Sequence, residues 1–395
     1  MVSEVARAEP APGGEGPRAR DWGALAREAG RGLLVPLLAI MTALIVGGVL
    51  MVLTTGDPRI PFAAYSGLLE GMLGSPEAIA KTLVRATPYA FTGLAVALAF
   101  KCGLFNIGAE GQLALGGLTG AWVGYSLHAP GLLHLPLTIL AGMAAGFVWG
   151  MIPGILKART GAHEVITTIM MNYLAIQFVQ YMVSGPMKAP RTVVPQTPPL
   201  ARSAWLPMLV PSLELHSGVL LAVLASVAIW WFLGRTVWGF ALRTVGTNPA
   251  AARYAGMSVA RNIVLAMALS GALAGLAGAV EVSGVALGTT SVNHEGNRYL
   301  GLGFSTGYGF DSIAVALLGR GNPFGVVAAA LLFGGLRAGA TRMQFNTQVP
   351  SEIIAVIQGL ILLFIAADVI VRRLYRLPSE TAATTPALTS GWGEK

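Results

Sequence analysis

The sequence predicts an all-α fold, a polytopic integral membrane protein with about ten transmembrane or partly re-entrant helices. Three observations predict it. Of 395 residues, 54% are hydrophobic and only 11% charged, against roughly 25% charged in soluble domains, and the mean hydropathy is +0.66. Apolar stretches at 33–54, 135–156, 163–184, 216–234, 262–287, 322–343 and 350–371 reach or approach the roughly 20 residues that cross a bilayer. Shorter or glycine-interrupted ones lie at 86–101, 104–127 and 309–319.

Taken in order, residues 1–32 are polar and rich in Pro, Gly, Ala and mixed charge. They read as a disordered cytoplasmic N-terminus, and no secretory signal is expected there. The stretch 33–54 carries no charge and is expected to remain as a helix. Residues 33–376 then form one transmembrane domain, and 377–395 a disordered cytoplasmic tail. The net charge of +8 comes from Lys and Arg clustered beside apolar runs, which is the signature of membrane orientation and not of nucleic-acid binding. A single cysteine, Cys102, excludes an internal disulfide and a cysteine metal cluster.

The most informative segment is Gly103-Leu104-Phe105-Asn106-Ile107-Gly108-Ala109-Glu110-Gly111-Gln112. A charge near the bilayer centre costs roughly 2.5–3.5 kcal/mol on insertion scales. Such a segment is tolerated only where it faces protein or a water-filled cavity. Its glycines allow the backbone to break or to approach another chain closely. Phe105, Asn106, Gly108, Glu110 and Gln112 are therefore candidates for lining or shaping a transport path. Phe105 adds an aromatic ring to that set. For Glu110, a scaffolding role that holds Asn106, Gln112 or backbone N–H groups ranks above direct contact with solute.

Basic residues fall after alternate segments: Lys101; Lys157 and Arg159; Arg235, Arg243, Arg253 and Arg261; Arg320; Arg372, Arg373 and Arg376. Ten crossings with a cytoplasmic N-terminus put each cluster inside. Arg59, Lys81, Lys188, Arg191, Arg202 and Arg298 break the pattern on the outside.

Two loops carry further expectations. Residues 185–215 hold seven prolines, cannot form a long helix, and read either as a stiff cap over the outer mouth or as a tolerated surface loop. Residues 235–261 form the largest inner loop. There Asn248 is a good N-cap, Pro249 suits the first helical position, and Ala250 to Ala255 favour helix. The result is a short, exposed, basic helix, placed either against a partner or as a solvated connector.

A second glycine-rich region spans 288–325. Asp311 is placed as an N-cap, and Asn322-Pro323 opens the next helix. Phe310-Asp311-Ser312-Ile313 echoes Phe105-Asn106-Ile107, and interrupted helices at matching points of two halves point to a transporter's midplane. In 163–184, Glu164, Thr168 and Asn172 share one face, while Tyr173, Gln177 and Gln180 share another. These are uses for either helix–helix hydrogen bonding or pathway lining. Small residues at Gly271, Ala274, Gly275, Gly278 and Gly284 suit close packing, and Glu281 is an acid inside an apolar run. No G-x-x-x-x-G-K-[ST], no H-E-x-x-H and no recognisable hydrolase frame occurs, so neither metal nor catalytic residues are expected.

Together these pieces resemble the permease subunit of bacterial ABC importers, in the branch serving ribose-type sugars, branched-chain amino acids and nucleosides. The resemblance covers roughly 85–370 and looks nearest to the nucleoside-type permeases. It rests on the 103–112 segment, Ser184-Gly185-Pro186, Pro195-Gln196, the 243–256 stretch, and Ile313 to Arg320 followed by Asn322-Pro323. Ser312 departs from the pattern, where a glycine is expected.

The resemblance implies a transport subunit of the bacterial inner membrane, without an enzyme activity or cofactor of its own. ATP and Mg would be held by a separate ABC ATPase docked on the 248–256 helix, with Arg243, Asn248, Pro249 and Arg253 carrying force. It further implies a second permease chain, commonly a different one, and an extracytoplasmic solute-binding protein. Asn172 and Asp311 join the pathway candidates. Sugar or branched-chain amino acid import, and a self-sufficient ion-coupled transporter, stand as alternatives.

Overall fold

The computed structural model describes residues 22–284, 298–305 and 307–376; the disordered ends expected at 1–21 and 377–395 lie outside them. Most of the described residues are helical. Apolar side chains leave backbone groups no water partner inside a bilayer, and a helix satisfies them internally.

The chain runs α1 (Trp22–Thr55), α2 (Ile60–Leu73), α3 (Pro76–Lys101), α4 (Ala109–Ser126), α5 (Gly131–Thr160), α6 (Glu164–Ser184), α7 (Gly218–Arg235), α8 (Val237–Thr247) and α9 (Pro249–Tyr254). It continues with α10 (Val259–Ser283), α11 (Tyr308–Leu318), α12 (Pro323–Thr347), α13 (Ile353–Ala366) and α14 (Asp368–Leu374). Among the described residues, α1, α3, α5, α7, α10 and α12 are long and apolar enough to cross a membrane. The protein is a multi-pass, all-α membrane protein.

Several boundaries differ from those expected. Helix α1 starts at Trp22, ahead of residue 33, because the 22–32 sequence is rich in Ala, Leu, Arg and Glu, all good helix formers. Helix α3 starts at Pro76, where Ser75 caps it by accepting from Ala78 N–H at 3.1 Å. Lys81 and Arg85 had masked that first half. The 104–127 stretch is helical only from Ala109. Helix α2, with 14 residues, is shorter than a membrane span and was not expected. The 350–371 stretch is divided at Ala367 into α13 and α14. At about 1.5 Å per residue, the 11 residues of α11 span about 16 Å, half a hydrocarbon core.

Helices α3, α4 and α10 are the buried centre. The tightest pairing is α5 with α10. Gly142, Gly146, Gly150 and Gly154 recur at every fourth position on α5, facing Gly271, Gly275 and Met267 of α10. A Cβ on Gly146 would lie 2.1 Å from Gly271 O, and one on Gly275 2.2 Å from Gly142 O. This is the small-xxx-small packing by which membrane helices approach closely. The expectation for Gly271, Gly275 and Gly278 is met, the last packing against α4.

The two ends of the bundle differ. At one, α8 closes on the end of α3: a Cβ on Gly246 would lie 2.2 Å from Lys101 O, and Gly321 also borders Lys101. At the other, the 185–215 stretch is pinned across the helix ends. Ala201 N–H donates to Gly124 O at 2.8 Å, Leu206 N–H to Ser283 O at 2.9 Å, and Thr197 N–H to Leu300 O at 2.9 Å. A small hairpin, β1 (Met208–Val210) with β2 (Leu215–His216), completes it. Arg298 is buried there, with its guanidinium 4.5 Å above the Trp205 ring. It donates to Ser283 O and, at 3.4 Å, to Leu206 O. These bonds make the stretch a fixed cap.

Candidate functional site

Residues 102–108 turn back into the bundle, and α4 therefore starts inside it. The turn is held by side chains. Asn106 accepts from Gly108 N–H at 3.0 Å, exchanges bonds with Gln112 at 2.8 and 3.2 Å, and donates to Ser270 Oγ of α10 at 2.7 Å. Ser270 in turn donates to Ala95 O of α3 at 2.6 Å. Asn172 of α6 closes the other side, accepting from Gly111 N–H and donating to Ile107 O, both at 2.8 Å. Buried amides must be paired, and here Asn106 and Asn172 satisfy backbone groups freed by the broken helix while Gln112 holds Asn106.

Glu110, in the first turn of α4, reaches across to α11. It accepts from Gly307 N–H at 3.2 Å and Gly309 N–H at 2.6 Å, and Ser305 also hydrogen-bonds it. Gly307 has φ 87°, a left-handed conformation suited to glycine. A Cβ on Gly309 would lie 2.1 Å from the Glu110 backbone nitrogen, so only glycine fits. The N-termini of α4 and α11 thus meet inside the bundle, and a carboxylate between two positive helix ends is favourably placed.

Beside this junction lies a charged cluster. Tyr89 donates to Asp311 at 2.9 Å and accepts from Arg337 at 2.8 Å, while Arg337 stands 3.8 Å from Asp311. The Arg337 guanidinium lies 4.9 Å over the Tyr308 ring, and Arg85 donates to the Tyr308 hydroxyl at 3.4 Å. Glu281, 5% exposed, sits in electrostatic reach of Arg85 and Arg337, with one oxygen lacking a hydrogen-bond partner.

The sequence-predicted residues therefore separate into three places. Asn106, Gly108, Glu110, Gln112 and Asn172 meet at the junction, all buried. Asp311 is not the N-cap expected of it, since Gly307 takes that position and Asp311 falls in the first turn of α11; it lies at the junction's edge in the charged cluster, and Phe105 packs on Phe100 with ring centroids 4.7 Å apart. Asn248 caps α9, accepting from Ala251 N–H at 3.0 Å, with Pro249 first in that helix. Arg243, Asn248 and Arg253 are exposed, and Tyr254 beside them is 95% exposed. On α6, Glu164, Thr168 and Asn172 are buried, whereas Tyr173, Gln177 and Gln180 face outward.

Arg85, Tyr89, Ser270, Tyr308 and Arg337 escaped sequence reading. For the two arginines the signal was present, since a cation inside an apolar segment is a functional hypothesis. Tyr89, Ser270 and Tyr308 carry no comparable signal.

Two broken-helix N-termini meeting inside a glycine-packed helical bundle, with an exposed helical pair at one end, define a membrane transport subunit. The chain belongs to the family of branched-chain amino acid transport system permease components, whose pattern matches residues 78–366. It is 43% identical to the guanosine ABC transporter permease protein NupP of Bacillus subtilis, over 86% of this chain and 94% of that one. It is 35% identical to the nucleoside ABC transporter permease protein NupB of Lactococcus lactis, over 92% and 98%. It is 37% identical to the glucose ABC transporter permease protein TsgB13 of Haloferax volcanii, over 87% and 89%. No solved structure matches.

Proposed function

We propose that this chain is one permease subunit of an ATP-driven importer that carries nucleosides into a bacterial cell across its inner membrane. The observation that carries the reading is the similarity to NupP along nearly the full length of both chains. The N-terminus and the α8–α9 end face the cytoplasm in this reading, as the grouping of Lys101, Arg159, Arg243, Arg253 and Arg261 favours. A separate ATPase, holding ATP and Mg, docks on α8 and α9 through Arg243, Asn248, Pro249 and Arg253. An extracytoplasmic binding protein delivers solute to the capped end.

A second permease chain completes the pathway. Bacillus subtilis has two guanosine permease proteins similar to this chain, NupP and NupQ. The outward Tyr173, Gln177 and Gln180 of α6 support such a partner, because amides on a membrane-length helix are costly against lipid. Phe105, Asn106, Gly108, Glu110, Gln112, Asn172 and Asp311 shape the path, with the junction as scaffold.

The test is uptake of labelled guanosine by proteoliposomes holding the full complex. ATP-dependent uptake, competed by other nucleosides and not by glucose or leucine, is expected. The similarity to TsgB13 favours sugar import as a second reading, and glucose uptake in the same vesicles would select it. Uptake by this chain alone without ATP would overturn both in favour of an ion-coupled carrier.

A further inference from the structure

A crevice of about 450 Å³ opens between α5 and α10 near the start of α8. Its wall is apolar, with Phe147, Met151 and Ile155 of α5 facing Leu265 of α10. Its mouth is cationic, since Arg159 ends α5 and Arg261 begins α10. Arg261 lies 4.4 Å over the ring of Trp238, which is 46% exposed. Both arginines are exposed. Among the described residues neither has an acidic partner, whereas the neighbouring Lys157 is paired with Glu164 at 2.9 Å.

The dimensions are those of a lipid leaflet. From Arg159 to Phe147 the groove follows α5 for about 18 Å at 1.5 Å per residue, and half a hydrocarbon core is about 15 Å. A charged mouth, an interfacial tryptophan and an apolar trough of one acyl length lie in register. Basic pockets between membrane helices take anionic headgroups, and tryptophan settles at the headgroup level.

We propose that this crevice is a binding site for one anionic phospholipid of the leaflet at the α8–α9 end. Arg159 and Arg261 hold its phosphate, and Phe147, Met151, Ile155 and Leu265 hold one acyl chain. Bound lipid would brace α8 through Trp238.

The test is native mass spectrometry of the full-length, delipidated chain titrated with phosphatidylglycerol, phosphatidylcholine or glycerol phosphate. Phosphatidylglycerol should bind at least tenfold more tightly than phosphatidylcholine, and glycerol phosphate should not displace it. One basic side chain near an anionic surface is worth about fivefold, so R159A/R261A should weaken phosphatidylglycerol about 25-fold. R159K/R261K should retain most of it, which separates lost charge from lost folding. Equal binding of the two lipids, or undiminished binding by R159A/R261A, would overturn the proposal. Displacement by glycerol phosphate would overturn the acyl part, and exclusion of lipid by the docked ATPase would assign the crevice to that protein.

Discussion

Glu110 and Gly309 lie far apart in the chain, yet the Gly309 N–H donates to the Glu110 carboxylate at 2.6 Å. With Gly307 donating to the second oxygen at 3.2 Å, one carboxylate caps a helix that begins in the other half of the protein. The charge that looked expensive in the sequence is offset by donors at a helix N-terminus.

That relationship gives a graded expectation. In E110Q one oxygen remains an acceptor, but the amide NH2 faces a second N–H donor, and the loss should be about 1–3 kcal/mol. E110L removes both acceptors and should lose more, as should G309A through its clash. Thermal unfolding in detergent would rank wild type above E110Q, and E110Q above E110L. An E110Q protein as stable as wild type yet inactive in uptake would move Glu110 from scaffold to direct action on solute.

Asp311, Tyr89 and Arg337 should behave as one unit. The pair is partly exposed, with side-chain accessibilities of 30% and 26%, so its value lies between that of surface and buried ion pairs. D311N and R337Q should each destabilise by about 1–3 kcal/mol. The double variant should cost less than their sum by roughly 1 kcal/mol. Strict additivity in the thermal unfolding of all four proteins would contradict the coupling.

At the α8–α9 end, N248A removes the cap of α9, worth about 1 kcal/mol locally. Because α9 has only six residues, that loss should fray it while leaving global unfolding nearly unchanged. Faster hydrogen exchange at Ala251 and Ala252, with reduced copurification of the ATPase, is the expected pair of results. Intact ATPase binding by a frayed α9 would remove this helix from the docking surface.

His216 should make the cap acid-sensitive. Gly218 N–H donates to its Nδ1 at 3.1 Å, which leaves Nε2 protonated in a neutral ring. Burial, with Arg298 nearby, lowers its pKa from 6.5 to about 4. The unfolded segment therefore takes up a proton first as pH falls. Stability should be full above pH 6.5 and decline towards pH 4, by about 3 kcal/mol at most. Exchange protection across 205–217, taken relative to the intrinsic amide rate at each pH, should fall over that window in wild type and stay flat in H216Q. A flat wild-type profile would rule the histidine out.

Much of this was legible because the bilayer permits few solutions. Apolar runs gave most helices, and the Asn248-Pro249 pair gave α9 from local rules alone. Glu110 was marked by its cost, but its partners were not, since Gly307 and Gly309 are distant in sequence and contribute backbone only. Helix α3 was truncated because Arg85 lowers hydropathy, and its reach to the Tyr308 hydroxyl is a tertiary fact. The α5 glycines were hidden in a run that reads as an ordinary span, because their spacing gains meaning only beside Gly271 and Gly275.

The glycine ladder between α5 and α10 has a mechanical consequence. Backbones in contact without intervening side chains cannot slide by a fraction of a turn, since every Cα would meet a carbonyl. The two helices form a single strut, braced by α4 where Gly116 meets Gly275 O, so any opening and closing of the protein has to pivot outside it.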